Sequence, residues 1–319
     1  MVRARENGLA LGAAAALACA VLAGCGGHGS SANTSRSGPA AAPTADACTG
    51  QGTRPHSFTF TLVSSGRRRS ALVHVPAHPG RTKLPLLLVF HFASGTGRIM
   101  QAATQLSPFA DRHRFVAVYP NSASANHFWN ISSARGRPAD VQFVRDLLDN
   151  LGSQVCFDRA RVYATGESNG GGMAARVGCD LSDRIAAVAP VAGGYSTLPA
   201  CSRPLRASLL EIHGTGDPIV PYTGRGPNHT GDVMTFVRAW ASANGCGARP
   251  TRSRRTAGAL RFDWPGCRSG THVAHVRLPG FGHGWPGAPG PVFRGRDSNF
   301  PANREIWRFL SAQRLPAGS

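Results

Sequence analysis

The run Arg161-Val-Tyr-Ala-Thr-Gly-Glu-Ser-Asn-Gly-Gly-Gly-Met-Ala-Ala-Arg-Val-Gly-Cys179 decides how the chain is read. A β-prone run, residues 161–165, meets a glycine, then Ser168, then three more glycines and a helix-forming segment. Gly166-Glu167-Ser168-Asn169-Gly170 fits the G-x-S-x-G pattern, in which a serine sits on a strained strand-to-helix turn and small neighbours let the chain bend. Such a turn exposes the hydroxyl and aims the free N–H groups and positive dipole end of a helix at a reacting oxygen. With 39 glycines in the chain, the pentapeptide alone is a weak signal. Partners elsewhere have to carry the argument.

Upstream, residues 84–91 read Leu-Pro-Leu-Leu-Leu-Val-Phe-His, a continuous apolar run that predicts a strand covered on both faces. Two alternating runs before it, 57–63 and 71–75, predict an antiparallel hairpin at a sheet edge. A helical stretch to about Asp111, a strand over 115–119 and an irregular segment over 121–138 holding Trp129 come next. Residues 140–151 have helical spacing, with Asp140 as the expected cap. Downstream of the elbow, 184–191, 207–213 and 273–278 read as strands, and 232–243 and 303–312 as helices. Strands alternating with helices after an edge hairpin predict an α/β fold with a mainly parallel central sheet flanked by helices.

The chain is strongly basic, with 35 cationic against 16 acidic residues and a formal charge of +19. Lys83 is the one lysine, and the arginines scatter, clustering only at 67–69 and 252–255. No stripe and no nucleic-acid motif accompanies the charge, which argues against a nucleic-acid partner. Arginine-rich composition, or affinity for anionic envelope polymers, explains it more simply.

The first 24 residues read as a targeting segment: Arg3 and Arg5, then an alanine-rich apolar run over 9–24 that is short for a membrane span. It ends Leu22-Ala23-Gly24-Cys25, which resembles the lipobox of bacterial lipoproteins and implies cleavage before Cys25 and lipidation of its thiol. Residues 25–47 are then expected to be the lipidated cysteine and a disordered tether, and 48–319 the folded domain. Setting aside Cys19 and Cys25 leaves Cys48, Cys156, Cys179, Cys201, Cys246 and Cys267. Outside the cytoplasm these suggest up to three disulfides. Cys246–Cys267 is the expected pair, since the two flank one polar, arginine-rich excursion.

Serine acyl transfer needs a base, a carboxylate to orient it and donors for the oxyanion. In α/β-hydrolases these come in the order Ser, Asp/Glu, His, on loops after strands. Here Ser168 is followed by Asp217 and then His283, each just past a predicted strand end. His213 is a competing base, but its position at a strand end four residues before Asp217 reads as structural. The expected oxyanion donors are the backbone N–H of Asn169 and that of Ala93, with Phe92 as the alternative, in the loop after the 84–91 strand.

The segments over 162–173, 184–193, 212–222 and 282–287 resemble the esterase family of poly(3-hydroxybutyrate) depolymerases and feruloyl and acetyl xylan esterases, over roughly 57–310. The resemblance implies an α/β-hydrolase fold in a single domain, no metal or organic cofactor, and Ser168, His283 and Asp217 as nucleophile, base and orienter. Trp285 resembles a family tryptophan after the histidine and is expected, with Phe92, Trp129 and Tyr222, to contact substrate. Where the family loop starts His-Gly, this chain has His91-Phe92. The expectation is thus a monomeric serine esterase outside the cytoplasm, lipid-anchored or secreted, acting on feruloyl, acetyl or short hydroxyalkanoate esters, including polysaccharide- or polyester-linked ones. An acyltransferase with the same triad and a non-catalytic envelope-binding protein are the alternatives.

Overall fold

The run 84–90 forms β3 (Leu84–Phe90), buried throughout, and its two faces feed two separate hydrophobic cores. Leu84, Leu86, Leu88 and Phe90 pack into one; Leu87 and Val89 pack into the other. That is the strand period of two written into a sheet covered on both sides. The computed structural model describes residues 55–77, 82–132, 138–196, 198, 201, 205–225, 231–255, 258–288 and 299–316. Cys25, Cys48, the leader and the tether lie outside these residues.

Among the described residues ten strands make one sheet. In chain order they are β1 (His56–Ser64), β2 (Arg67–Val75), β3, β4 (Val116–Pro120), β5 (Phe157–Glu167), β6 (Ala187–Val191), β7 (Ser208–Gly214), β8 (Thr251–Arg254), β9 (Leu260–Trp264) and β10 (Val273–Leu278). The spatial order is β1-β2-β4-β3-β5-β6-β7-β10-β9-β8. The block β4 to β10 in that order is parallel, and the antiparallel pairs β1–β2 and β8–β9 sit at its two edges. Six α-helices among the described residues flank the sheet: α1 (Gly97–Thr104), α2 (Leu106–His113), α3 (Ala139–Leu151), α4 (Asn169–Asp180), α5 (Val233–Ala243) and α6 (Ala302–Leu310).

Three expectations need correction. The stretch to Asp111 is two helices, broken at Gln105, whose φ of 54° is left-handed. Asp140 does not cap α3, whose N-cap is Pro138. Its carboxylate instead binds Arg69 (2.6 Å) and the Asn130 N–H (2.8 Å), fastening the 121–132 segment to the hairpin. The arginine-rich excursion holds the β8–β9 hairpin: β8 reads Thr-Arg-Ser-Arg with no apolar alternation and is largely exposed, so periodicity could not reveal it.

Disulfides join Cys246 to Cys267, as expected, and Cys179 to Cys201. Cys156 is disulfide-bonded too. Part of the arginine excess serves the fold: buried Arg176 spans α4 to the Asp180 carboxylate and to the carbonyls of Ile131 and Ser132. Among the described residues no helix is long and apolar enough to cross a membrane.

Candidate active site

The end of β5 turns into α4 through Ser168, whose φ of 58° and ψ of −120° lie outside the relaxed regions for a residue with a Cβ. The turn is held because the Ser168 N–H donates to Val191 O (3.0 Å) and the helix packs directly on the sheet. Gly170 allows that approach: a Cβ there would lie 2.3 Å from Phe90 O and 2.4 Å from His91 O. Asn169 is the first residue of α4, so its N–H has no partner within the helix.

Asp217 and His283 come from the loops after β7 and β10, neighbouring parallel strands. These loops stack closely, with Gly216 N–H on Phe281 O (3.0 Å) and Gly280 N–H on Thr215 Oγ1 (2.9 Å). A Cβ at Gly214 would lie 2.1 Å from Phe281 O, so a larger residue would force the loops apart. The contact puts His283 Nδ1 2.7 Å from Asp217 Oδ2, while Asp217 Oδ1 accepts from the N–H groups of Ile219 (2.9 Å) and Val220 (2.8 Å). Burial by itself would raise the Asp217 carboxyl. The bonds from His213, His283 and the Val220 amide override it and hold the carboxyl well below the usual carboxylate range.

His283 Nε2 faces Glu167 Oε1 at 3.1 Å. Glu167 is the residue immediately before Ser168, so the ring edge reaches the elbow itself. Among the described residues no hydrogen bond joins Ser168 Oγ to the ring.

Behind Asp217 lies a buried polar network. His213 Nε2 is 2.9 Å from Val220 O and 3.4 Å from Asp217 Oδ2, and Nδ1 is 3.0 Å from Glu211 Oε1. Glu211 also receives Tyr195 OH (2.9 Å) and His275 Nδ1 (2.6 Å), and His275 Nε2 meets Tyr222 OH (2.7 Å). Burial pushes the His213 ring down, but the Asp217 and Glu211 bonds outweigh it and lift the ring to about 10. Burial likewise pushes Glu211 up, and His213 and His275 bring it down to about 2.

The loop after β3 holds His91, which burial brings down to about 4 and so keeps neutral. Its Nδ1–H donates to Phe92 O (2.8 Å), leaving Nε2 to accept from the Ser122 N–H (3.1 Å). Ala93 follows in the turn closed by Gly95 N–H on Phe92 O (3.0 Å). Asn169 clamps the facing segment: Oδ1 accepts from Trp129 N–H (2.7 Å) and Nδ2 donates to Trp129 O (3.2 Å).

Of the four aromatic residues expected to contact substrate, Phe92 and Tyr222 are half-buried. Trp129 and Trp285 are 2% and 1% exposed, with their indole N–H groups bound to His91 O and Asn303 Oδ1. Both tryptophans are thus held in place by their indole N–H groups. Sequence reasoning overlooked Glu167, Glu211 and His275. One signal was there: Glu211 and His213 are two apart on a strand and share a face.

No family model matches the chain. It is 30% identical over 234 residues to feruloyl esterase B of Piromyces equi, covering 67% of this chain but 42% of that protein. It is 31% identical over 259 residues to the putative esterase NocK of Nocardia uniformis subsp. tsuyamanensis, covering 72% of this chain and 74% of that one. Among solved structures, an acetyl xylan esterase from Aspergillus awamori superposes with a TM-score of 0.56 at 15% identity, over 71% of this chain and 94% of the other, a likeness of fold. The chain belongs to the α/β-hydrolase esterase family that contains feruloyl and acetylxylan esterases.

Proposed function

We propose that the chain is a serine esterase that hydrolyses carboxylic esters through Ser168, His283 and Asp217. The observation that carries the proposal is the meeting of the strained Ser168 elbow with the Asp217-bound imidazole of His283, whose Nε2 reaches the residue next to Ser168. Ser168 Oγ attacks the ester carbonyl carbon while Nε2 takes its proton, and Asp217 holds Nδ1–H and steadies the imidazolium. The N–H groups of Asn169 and Ala93 receive the oxyanion. The alkoxide leaves with the proton from Nε2, and water, activated by the same ring, cleaves the acyl-serine to free acid.

Feruloyl and acetyl esters are the proposed substrate class, after the relatives named feruloyl and acetylxylan esterases. The proposed location is outside the cytoplasm, anchored through a lipid on Cys25. The disulfides support an oxidising compartment. A p-nitrophenyl ester series from acetyl upward, run with wild type and Ser168→Ala, tests the chemistry. Wild-type turnover lost in the variant supports it; a folded wild type that turns over no ester, and leaves Ser168 unlabelled by fluorophosphonate, overturns it.

A further inference from the structure

The Glu211–His213 pair sits on one face of β7, aimed at the back of the catalytic carboxylate. Both ring nitrogens of His213 face acceptors. Nδ1 meets Glu211 Oε1 (3.0 Å), and Nε2 meets Val220 O (2.9 Å) and Asp217 Oδ2 (3.4 Å). A carbonyl and an ionised carboxylate offer no proton, so satisfying both contacts requires N–H on both sides of the ring. The cluster is closed to solvent: His213, Glu211 and Asp217 are 1%, 0% and 5% exposed.

Every neighbouring polar group agrees with that assignment. Tyr195, after β6, donates to the Glu211 oxygen that His213 also uses. His275, on β10, donates Nδ1–H to the other oxygen, and Tyr222 OH faces its Nε2, so this ring is satisfied while neutral. The Tyr222 ring also stands edge-on to His213, with centroids 5.9 Å apart. Glu211 thus receives three donors, and the only cation its geometry demands is His213.

We propose that His213 is a positioning residue for the esterase chemistry. Held as an imidazolium between Glu211 and Asp217, it fixes the Asp217 oxygen that binds His283 and offsets part of that carboxylate's charge. The proposal rests on the serine-esterase reading above. Asp217 Oδ2 carries both imidazole contacts, so its negative charge is divided between a resident cation and the catalytic ring. A ring beside a partly neutralised carboxylate is a weaker base, and it remains available as a neutral base at lower pH.

The test is the acid limb of the pH profile of kcat/KM on p-nitrophenyl acetate for wild type, His213→Gln and Glu211→Gln. Glutamine at 213 removes the cation. Glutamine at 211 removes the anion that holds the second proton on His213 while leaving an amide in place. Both variants are expected to move the limb to higher pH by about half a unit to one unit. A fall in rate with the limb unmoved means that His213 only supports the loop, and overturns the proposal. Should His213→Gln fail to fold, Glu211→Gln gives the same reading. Heteronuclear NMR of the wild type adds a readout independent of turnover: protons on both His213 nitrogens at about pH 8 are expected, and a neutral ring there overturns the proposal. A wild type with no turnover on any ester overturns both readings, whereas normal turnover with an unmoved limb overturns this one alone.

Discussion

His275 stands opposite Glu211 across the parallel β7–β10 pair, and its Nδ1 lies 2.6 Å from Glu211 Oε2. Register thus delivers a third donor to a carboxylate that already serves His213 and Tyr195. Glu211→Ala would leave three buried donors facing a void, one of them on a charged ring. Breaking a buried ionic network at one member costs about 3–5 kcal/mol. Denaturant titration of the variant should show a loss of that size; a shift under about 1 kcal/mol would mean the network contributes no more than a surface pair.

The same network sets a pH window for stability. The folded His213 is raised from 6.5 to about 10, so its contribution is complete below 6.5 and is lost as pH rises through 10. Glu211, lowered from 4.5 to about 2, and Asp217, also lowered, contribute above their ordinary values and lose that contribution as pH falls through the folded ones. Thermal unfolding should therefore show a plateau between about pH 5 and 6.5, with a decline on the alkaline side that begins well before the tyrosines titrate. In His213→Gln that alkaline decline should flatten; an unchanged slope would assign it to other groups.

Much of this site could be read along the chain because its parts obey local rules. The β3 run is apolar at every position since both faces are buried, and the elbow is glycine-rich since the helix touches the sheet. Ser168, Asp217 and His283 each follow a strand, and parallel strands in one sheet deliver their ends to one edge. Other features depend on pairings that are distant in sequence. His275 acquires a role only when β10 pairs with β7, and Asp140 reads as a helix cap until Arg69, 71 residues away, reaches it. Trp129 sits in a segment with no periodicity, so nothing local told that its ring would be buried against Phe90 and His91.

Two glycines lie close to Ser168 and His283 and should behave oppositely. At Gly170 an added methyl meets two backbone carbonyls, Phe90 O at 2.3 Å and His91 O at 2.4 Å, neither of which can rotate away. Gly170→Ala should cost about 3 kcal/mol or more, the upper range for overpacking. Gly282, next to His283, has nothing within 4 Å of an added Cβ and an ordinary φ. Gly282→Ala should stay within about 0.5 kcal/mol of wild type in chemical denaturation. Equal losses at the two positions would refute the packing account of the elbow.

Glu167 touches His283 Nε2 while His213 touches Asp217 behind Nδ1, and the proposed mechanism gives the two charges opposite signs. Glu167 Oε1 lies 3.1 Å from Nε2, the nitrogen proposed to accept the serine proton. A carboxylate at that position attracts a proton on the ring more than a neutral amide would. Glu167→Gln keeps an amide at the same distance but removes the charge, so the acid limb of kcat/KM should move to lower pH. His213→Gln should move it to higher pH, because it removes a cation from behind Asp217. The double variant should fall between the two, since charges on opposite sides of one ring act through the same protonation step. Profiles that shift in the same direction in both single variants would show that the substitutions disturb the loop and not the field at the ring.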